Sequence, residues 1–391
     1  MKHTVNRSYL AILSIICLIV CINSCSQSFE DSGDYKFVLI DSIRLNIPVE
    51  PHFVEVKKSN DKILLYSRIN STFYVCNSLG EIILEHVRIG EGPGYYNKSV
   101  YQAGLQNEQL VIQDLKKIYK YNLKGDFLED ITYQPAFVYS SSGNIKNGLN
   151  SLNDSLIINP LAYSGAVTFN SNKLAAIDTI STLDLINTIT GQTYDAPMNI
   201  RFEPNSIYKQ DLVYPKFLPL VDITEEETII IAYPYEQRLY EYGLTDNRLE
   251  LINTIDFNLD QFKLPRGVKE DELTKGVNPI LSKNAGLNSS ILKIFGTKGK
   301  EAFILYSTGV PDRYEAEQAL GKYYKESKLL GGLIKDGTLI SSGIEIPNNG
   351  FEYMNEFQIS YWGGNQWAFI QDNQEEQDYY QIYIYNLVLT D

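Results

Sequence analysis

The chain has 391 residues, with 48 acidic and 34 basic side chains and a formal net charge of −14. That balance repels nucleic acid and anionic lipid headgroups, so nucleic-acid binding is set aside as a function. Four cysteines and three histidines leave few groups for metal or thiol chemistry.

The N-terminus has the three parts of an export signal. Lys2, His3 and Arg7 form a basic start, and residues 9–22, YLAILSIICLIVCI, are almost continuously apolar. Crossing a bilayer takes about 20 apolar residues, so this shorter run fits a cleaved leader better than an anchor. The run leads into INSC, ending at Cys25. Ordinary secretion favours small residues at both −3 and −1, whereas −3 here is Ile22. INSC instead resembles a bacterial lipobox, in which the cysteine takes a thioether-linked diacylglycerol and becomes the first mature residue. The competing reading is an ordinary signal peptide with a chance cysteine. Residues 1–24 are thus expected to be a lipoprotein signal peptide, and 25–36 a lipidated flexible tether. Removal of the leader leaves 367 residues and a charge of −16, since Lys2 and Arg7 leave with it. Cys17 and Cys21 leave as well and Cys25 takes the lipid. Cys76, alone in a strand-like stretch, then reads as a small buried hydrophobe.

From residue 37 onward the sequence is strand-rich, and one unit recurs. KILLYSRINSTFYVCNSLGEIILEH at 62–86 has an apolar strand, a polar turn, an aromatic strand, then a glycine turn into a third strand. The same order returns at 109–131 and 228–252, and a fourth copy at 366–391 ends in its second strand. Weaker copies lie near 155 with 183, and near 301 with 329. Asn77–Gly80 and Asn122–Gly125 place Asn and Gly where tight hairpins need permissive backbone. The alternation in IYKYNL puts Ile118, Lys120 and Asn122 on one face and Tyr119, Tyr121 and Leu123 on the other. Sheets of this size cannot bury both faces alone, but radial stacking buries them. The expectation is an all-β, six-bladed β-propeller of antiparallel four-stranded blades over 37–391, with seven blades as the alternative. Two stretches leave the pattern, 256–296 and 311–327. The first offers a short helix around Glu270 to Lys275, and the second has helix-forming composition after Pro311-Asp312.

RIGEGPG at 88–94 is the nearest approach to a chemical motif. A dinucleotide fingerprint needs G-x-G-x-x-G opening a helix, and a P-loop needs a Lys after its last glycine. Neither pattern is met, so the segment reads as a crossover between blades. No zinc or calcium ligand pattern and no G-x-S-x-G elbow is present, so no metal or cofactor is expected. Asp114, Asp372 and Glu91 read as turn residues. Tyr74, Tyr119, Tyr240 and Tyr383 recur at one place in the unit, which implies packing. Aromatics outside the repeat are better ligand candidates.

The lipobox, the repeated aromatic strand–Asn-x-x-Gly turn and the GEGPG segment together resemble the six-bladed propeller lipoproteins of Bacteroidota, distantly similar to NHL and TolB-type propellers. Acidic residues after Cys25 (Glu30, Asp31, Asp34) are loosely similar to the surface-export signals of those lipoproteins. The resemblance implies a lipid-anchored protein of the outer membrane, periplasmic or surface-exposed. It supplies no catalytic residues. The expected function is a non-catalytic binding or scaffold module for a glycan, peptide or envelope protein. The alternative is a lyase or hydrolase with its site at the central channel mouth. Candidate ligand contacts are Tyr95, Tyr96, Arg201, Arg238, Arg313, Tyr314, Tyr323 and Trp362.

Overall fold

The computed structural model describes residues 33–57, 61–98, 100–114, 116–134, 147–160, 183–194, 202, 204–216, 218–245, 248–272, 284, 287–297, 301–310, 327–347, 356–370 and 378–390. Everything that follows concerns these residues, which fall within the compact unit Asp34–Asp391 except for Gly33.

The unit is a six-bladed β-propeller. It opens with β1 (Tyr35–Leu45). Blade 1 is β2 (His52–Lys57), β3 (Lys62–Ser67), β4 (Thr72–Cys76) and β5 (Ile82–His86). Blade 2 is β6 (Gln102–Gln106), β7 (Gln109–Gln113), β8 (Lys117–Asn122) and β9 (Phe127–Thr132). The short β10 (Asn147–Gly148) adds to β6 in parallel. Blade 3 is the slightest: β11 (Asn150–Ser151), β12 (Leu156–Pro160), β13 (Leu183–Asn187) and β14 (Thr193–Tyr194). After β15 (Leu212–Val213), blade 4 is β16 (Leu220–Ile223), β17 (Ile229–Ala232), β18 (Arg238–Thr245) and β19 (Arg248–Asp256). β20 (Val268–Lys269) pairs with β15, and Glu270–Glu272 form a 3-10 turn where the sequence suggested a short helix. Blade 5 is β21 (Ser290–Gly296), β22 (Ala302–Ser307), β23 (Leu329–Lys335) and β24 (Thr338–Glu345). Blade 6 is β25 (Ile359–Gly363), β26 (Gln366–Ile370) and β27 (Tyr380–Leu389), completed by β1.

The repeat read from sequence therefore corresponds to strands two to four of each blade, except in blade 6, where it covers strands two and three and β1 supplies the fourth. Both faces of the second and third strands are buried, as in β3 and β4, which is why the sheets must stack, while fourth strands such as β5 keep exposed residues. In β4, Phe73 and Val75 pack between blades 1 and 2, whereas Tyr74 and Cys76 pack between blades 1 and 6. Burial pushes the Cys76 thiol up to about 12, so it stays protonated and inert. In β8, Tyr119 and Tyr121 face blade 1 and Ile118 faces blade 3.

The recurring third-strand tyrosines have a second task. Tyr119 Oη donates to Asp114 Oδ2 (3.0 Å) and Tyr240 Oη donates to Glu236 Oε2 (3.1 Å). Tyr74 Oη accepts from Asn70 Nδ2 (3.2 Å). In all three blades a polar side chain in the turn between the second and third strands satisfies a buried phenol, as buried tyrosine hydroxyls require. Asp114 is the turn residue expected of it, accepting also from the backbone of Lys116 and Lys117.

RIGEGPG joins the outer strand β5 to the inner strand β6, which makes it a crossover. Tyr96 N donates to Arg88 O (2.9 Å) and Tyr121 Oη donates to Gly94 O (2.9 Å). Gly94 has φ +74°, and a Cβ there would lie 2.7 Å from Phe127 Cγ. Any side chain at 94 meets both a backbone penalty and a ring.

Candidate functional site

The innermost strands of the six blades enclose a central channel with a cavity of about 1030 Å³. Its wall is contributed by β2, β6, β11, β16, β21 and β25. Turns between first and second strands also line it, including Asn107, Asn153, Asp154, Glu225 and Glu227. In an up-and-down blade these turns share one face of the disc. The stretches 256–296 and 311–327 join fourth to first, or second to third, strands, whose ends lie on the other face.

Besides the acidic turn residues, three charged residues on inner strands of different blades line this channel: Glu55 on β2, Asp222 on β16 and Lys293 on β21. Each ties its blade to the next one. Leu105 N donates to Glu55 Oε2 (2.6 Å), from blade 2 to blade 1. Gly296 N donates to Asp222 Oδ2 (2.8 Å), from blade 5 to blade 4. Lys293 Nζ donates to Ile359 O (3.3 Å), from blade 5 to blade 6. Gln102 makes a similar tie from blade 2 to blade 3, accepting from Asn150 N (3.3 Å) and donating to Ile158 O (3.1 Å). At β2 and β21 a register shift lies beside the charged residue, between Phe53 and Glu55 and between Ile291 and Lys293. Such bulges re-aim a side chain.

Burial pushes the Asp222 carboxyl up to about 6. Backbone amides of Gly296 and Ile223 and the Lys293 ammonium oppose the rise, while the Glu55 charge adds to it. The stability consequence has a definite sign. Between the ordinary aspartate range and about pH 6, the unfolded chain has lost this proton and the folded one holds it. Stability from this residue therefore falls as pH rises through that window and stays lower above it. Asp222→Asn keeps an oxygen for Gly296 N and removes the desolvated charge. We expect it to raise Tm by roughly a few degrees at pH 7.5 and to give no gain at pH 4, measured by calorimetry. An equal gain at both pH values would show that the carboxylate charge is not the cause.

Of the residues picked from sequence, Trp362 is on the channel wall, 9% exposed. Tyr95 stays half-exposed in the crossover, away from the cavity. Tyr96 is corrected: it is 1% exposed within the core between blades 1 and 2, and its hydroxyl accepts from Arg88 N (3.2 Å). Arg238 is corrected as well. Its guanidinium is held by Asp256 across the β18–β19 ladder and by Asn205, which keeps it firmly charged and occupied. Arg201, Arg313, Tyr314 and Tyr323 lie outside the described residues, as do Cys25 and Asp372.

Neither His52 nor His86 lines the cavity. His86 is buried against Tyr96 and Tyr121, and burial lowers it to about 4, so it is neutral and serves packing. His52 packs on Phe357 and lies 3.4 Å from Glu50. Among the described residues no cluster of histidine, cysteine or carboxylate groups suits a metal ion. No helix among them is long and apolar enough to cross a membrane.

No family model matches the chain, and no curated protein sequence matches it. Solved structures do match. One is a DUF4221-family member from Bacteroides vulgatus, with TM-score 0.64 and 10% identity over 92% of this chain and 100% of that one. Another is a candidate exported protein from Bacteroides fragilis, with TM-score 0.53 and 13% identity over 94% and 98%. This chain shares their fold. At such identities no functional residue transfers from them, and the channel has to be interpreted from its own side chains.

Glu55, Asp222, Lys293 and Asn150 did not emerge from the sequence. A signal was available: HFVEVK, LVDI and SILKIFG each carry a charge inside an apolar strand. In a propeller, that is the mark of an innermost strand facing the axis.

Proposed function

We propose that this chain is a lipid-anchored envelope protein that binds a ligand at the mouth of its central channel without altering it chemically. The ligand is a glycan, a peptide or a segment of another envelope protein. The observation that carries the reading is the use made of the channel carboxylates. Glu55 and Asp222 each accept a backbone amide of the following blade, at 2.6 Å and 2.8 Å. Carboxylates engaged in this way hold neighbouring blades in register, and a rigid polar concavity is the product. Anchoring rests on the leader and on INSC. Cys25→Ser is expected to abolish palmitate labelling and release the protein from the membrane fraction.

A second reading has one observation in its favour. A carboxyl raised to about 6 in a cavity, with an ammonium on the neighbouring strand, is the kind of group that serves as a general acid. Incubation with envelope polysaccharide and with peptidoglycan fragments, read by mass spectrometry and co-retention, separates the two. Retention of intact ligand is the expected result. New products that disappear in Asp222→Asn would replace the binding module with a hydrolase or lyase.

A further inference from the structure

Apolar exposure on the outer rim of the propeller is uneven. Among the described residues, the outermost strands β14 and β24 expose no large hydrophobic side chain, β9 exposes Leu128, and β19 exposes Leu251 and Ile252. By contrast β1 exposes three in succession, Val38 (40%), Leu39 (51%) and Ile40 (44%). β5 exposes Ile82 and Ile83, and the exposed Val87 follows directly. The two segments adjoin, because a Cβ on Gly80, in the turn that opens β5, would fall on Arg44 O near the end of β1. Apolar side chains gathered in this way on a rim mark a surface that something else covers.

The position of β1 in the chain says what that cover is. β1 begins at Tyr35, and Cys25, the residue that carries the lipid under the proposed anchoring, stands ten positions earlier. Ten residues span about 35 Å when fully extended and about 18 Å as a flexible coil. A diacylglycerol on Cys25 therefore keeps this part of the rim near the bilayer. The edge itself argues against a protein strand as the occupant. β1 is outermost in its sheet, and its bulge between Leu39 and Asp41 falls inside the apolar run. That bulge interrupts the ladder that a second copy or an extended peptide would need. The exposed charged residues of the two segments are Lys36 and Arg44 against Asp34, Asp41, Glu81 and Glu85. Such a balance suits a zwitterionic surface better than an anionic one.

We propose that the rim formed by β1 and β5 docks on the zwitterionic lipid surface that holds the anchor, with Val38, Leu39, Ile40, Ile82, Ile83 and Val87 in the headgroup layer. Blades radiate from the channel axis, so docking by the rim lays that axis along the membrane plane. Both mouths of the channel then stay clear of the bilayer, and a ligand enters from the side. This inference rests on the anchoring part of the reading above and adds the orientation of the disc.

The test is site-specific quenching in the full lipidated protein, reconstituted in vesicles of phosphatidylcholine and phosphatidylethanolamine. Leu39→Cys, Ile83→Cys and Ile189→Cys are each labelled with an environment-sensitive fluorophore. Cys76 is buried and protonated, so it takes no label. Ile189 is 66% exposed in blade 3, across the ring from blade 6, and serves as the reference. Vesicle lipid carrying a nitroxide beside its headgroup should quench the labels at 39 and 83 about twofold or more beyond that at 189. Ile83→Cys covers the case in which Leu39→Cys does not fold. Equal quenching at all three positions in vesicle-bound protein would overturn the docking and leave a disc turning freely on its tether. Labels at 39 and 83 that are shielded without vesicles, in protein that sediments as a dimer, would overturn it by making a second copy the occupant. A wild-type chain that does not float with vesicles, and whose intact mass lacks diacylglycerol, would instead overturn the anchoring on which the proposal stands.

Discussion

Deleting residues 1–45, and with them β1, is expected to abolish cooperative unfolding of the propeller. β1 is the outer strand of blade 6 and pairs with β27 from Tyr35–Leu389 to Leu45–Tyr380, through a bulge between Leu39 and Asp41. The ring is therefore closed by the two ends of the folded unit, and Thr390 donates backbone and side-chain bonds to Asp34 O (2.7 and 2.6 Å). Leu45 is fully buried, Ile43 nearly so, and Phe37 packs edge-on against Phe303, Trp367 and Phe369. Each such side chain contributes about 1.5–3 kcal/mol on burial. Three of them approach the whole stability of an ordinary domain, about 5–15 kcal/mol. The deletion also leaves the ten residues of β27 as an open edge, which invites aggregation. Calorimetry and size-exclusion chromatography check this, with a synthetic peptide of residues 33–47 expected to restore a cooperative melt. A truncated chain that melts within a few degrees of the intact one would show that closure is dispensable.

The closure also shows where sequence reading stops. YKFVLIDSIRL at 35–45 has strand composition, yet it belongs to no local copy of the repeat, because its partner lies at the far end of the chain. The stretch read as tether ended at residue 36, and β1 begins at Tyr35. The four clear copies were legible because third strands repeat a tyrosine, and in blades 1 and 2 the following hairpin repeats Asn-x-x-Gly. Blades 3 and 5 were faint for separate reasons. In blade 3 the first and last strands are two residues each, too short to show a period. In blade 5 the third strand reads LLGGLIK, and its glycines mask the pattern.

The channel was less legible than the blades. Its polar residues come from inner strands that lie just before each recognisable copy. What they share is an axis, which no local window contains. Of the described aromatic candidates, Tyr96 fills a blade interface, Tyr95 stays exposed in the crossover, and Trp362 alone reaches the cavity. Arg238 was drawn in by charge type, and its partner Asp256 became evident only once β18 and β19 were paired.

Trp367→Ala should cost about 3–5 kcal/mol, the largest effect of any single truncation we foresee. Trp367 sits on β26, is 2% exposed, and meets four rings. Phe303 lies at 4.4 Å, Phe295 at 5.0 Å, Tyr361 at 5.3 Å and Phe37 at 6.3 Å between centroids. These rings come from blade 5, from blade 6 and from the closing strand, so one indole joins three parts of the seam. The adjoining glycine explains the gap in the repeat: a Cβ on Gly331 would lie 2.2 Å from Phe303 Cζ, so β23 makes room for the ring that Trp367 packs upon. Loss of the indole leaves a cavity that these rings, fixed in two blades, cannot collapse to fill. Urea titration followed by circular dichroism measures the cost, and Tm should drop by roughly 5–10 °C. Trp367→Phe keeps one ring and should lose less than half as much. The loss should also be greater than that of Trp362→Ala, because Trp362 has the channel on one side and solvent can take its place. Equal losses at 362 and 367 would mean that the seam between blades 5 and 6 is no more tightly packed than the channel wall.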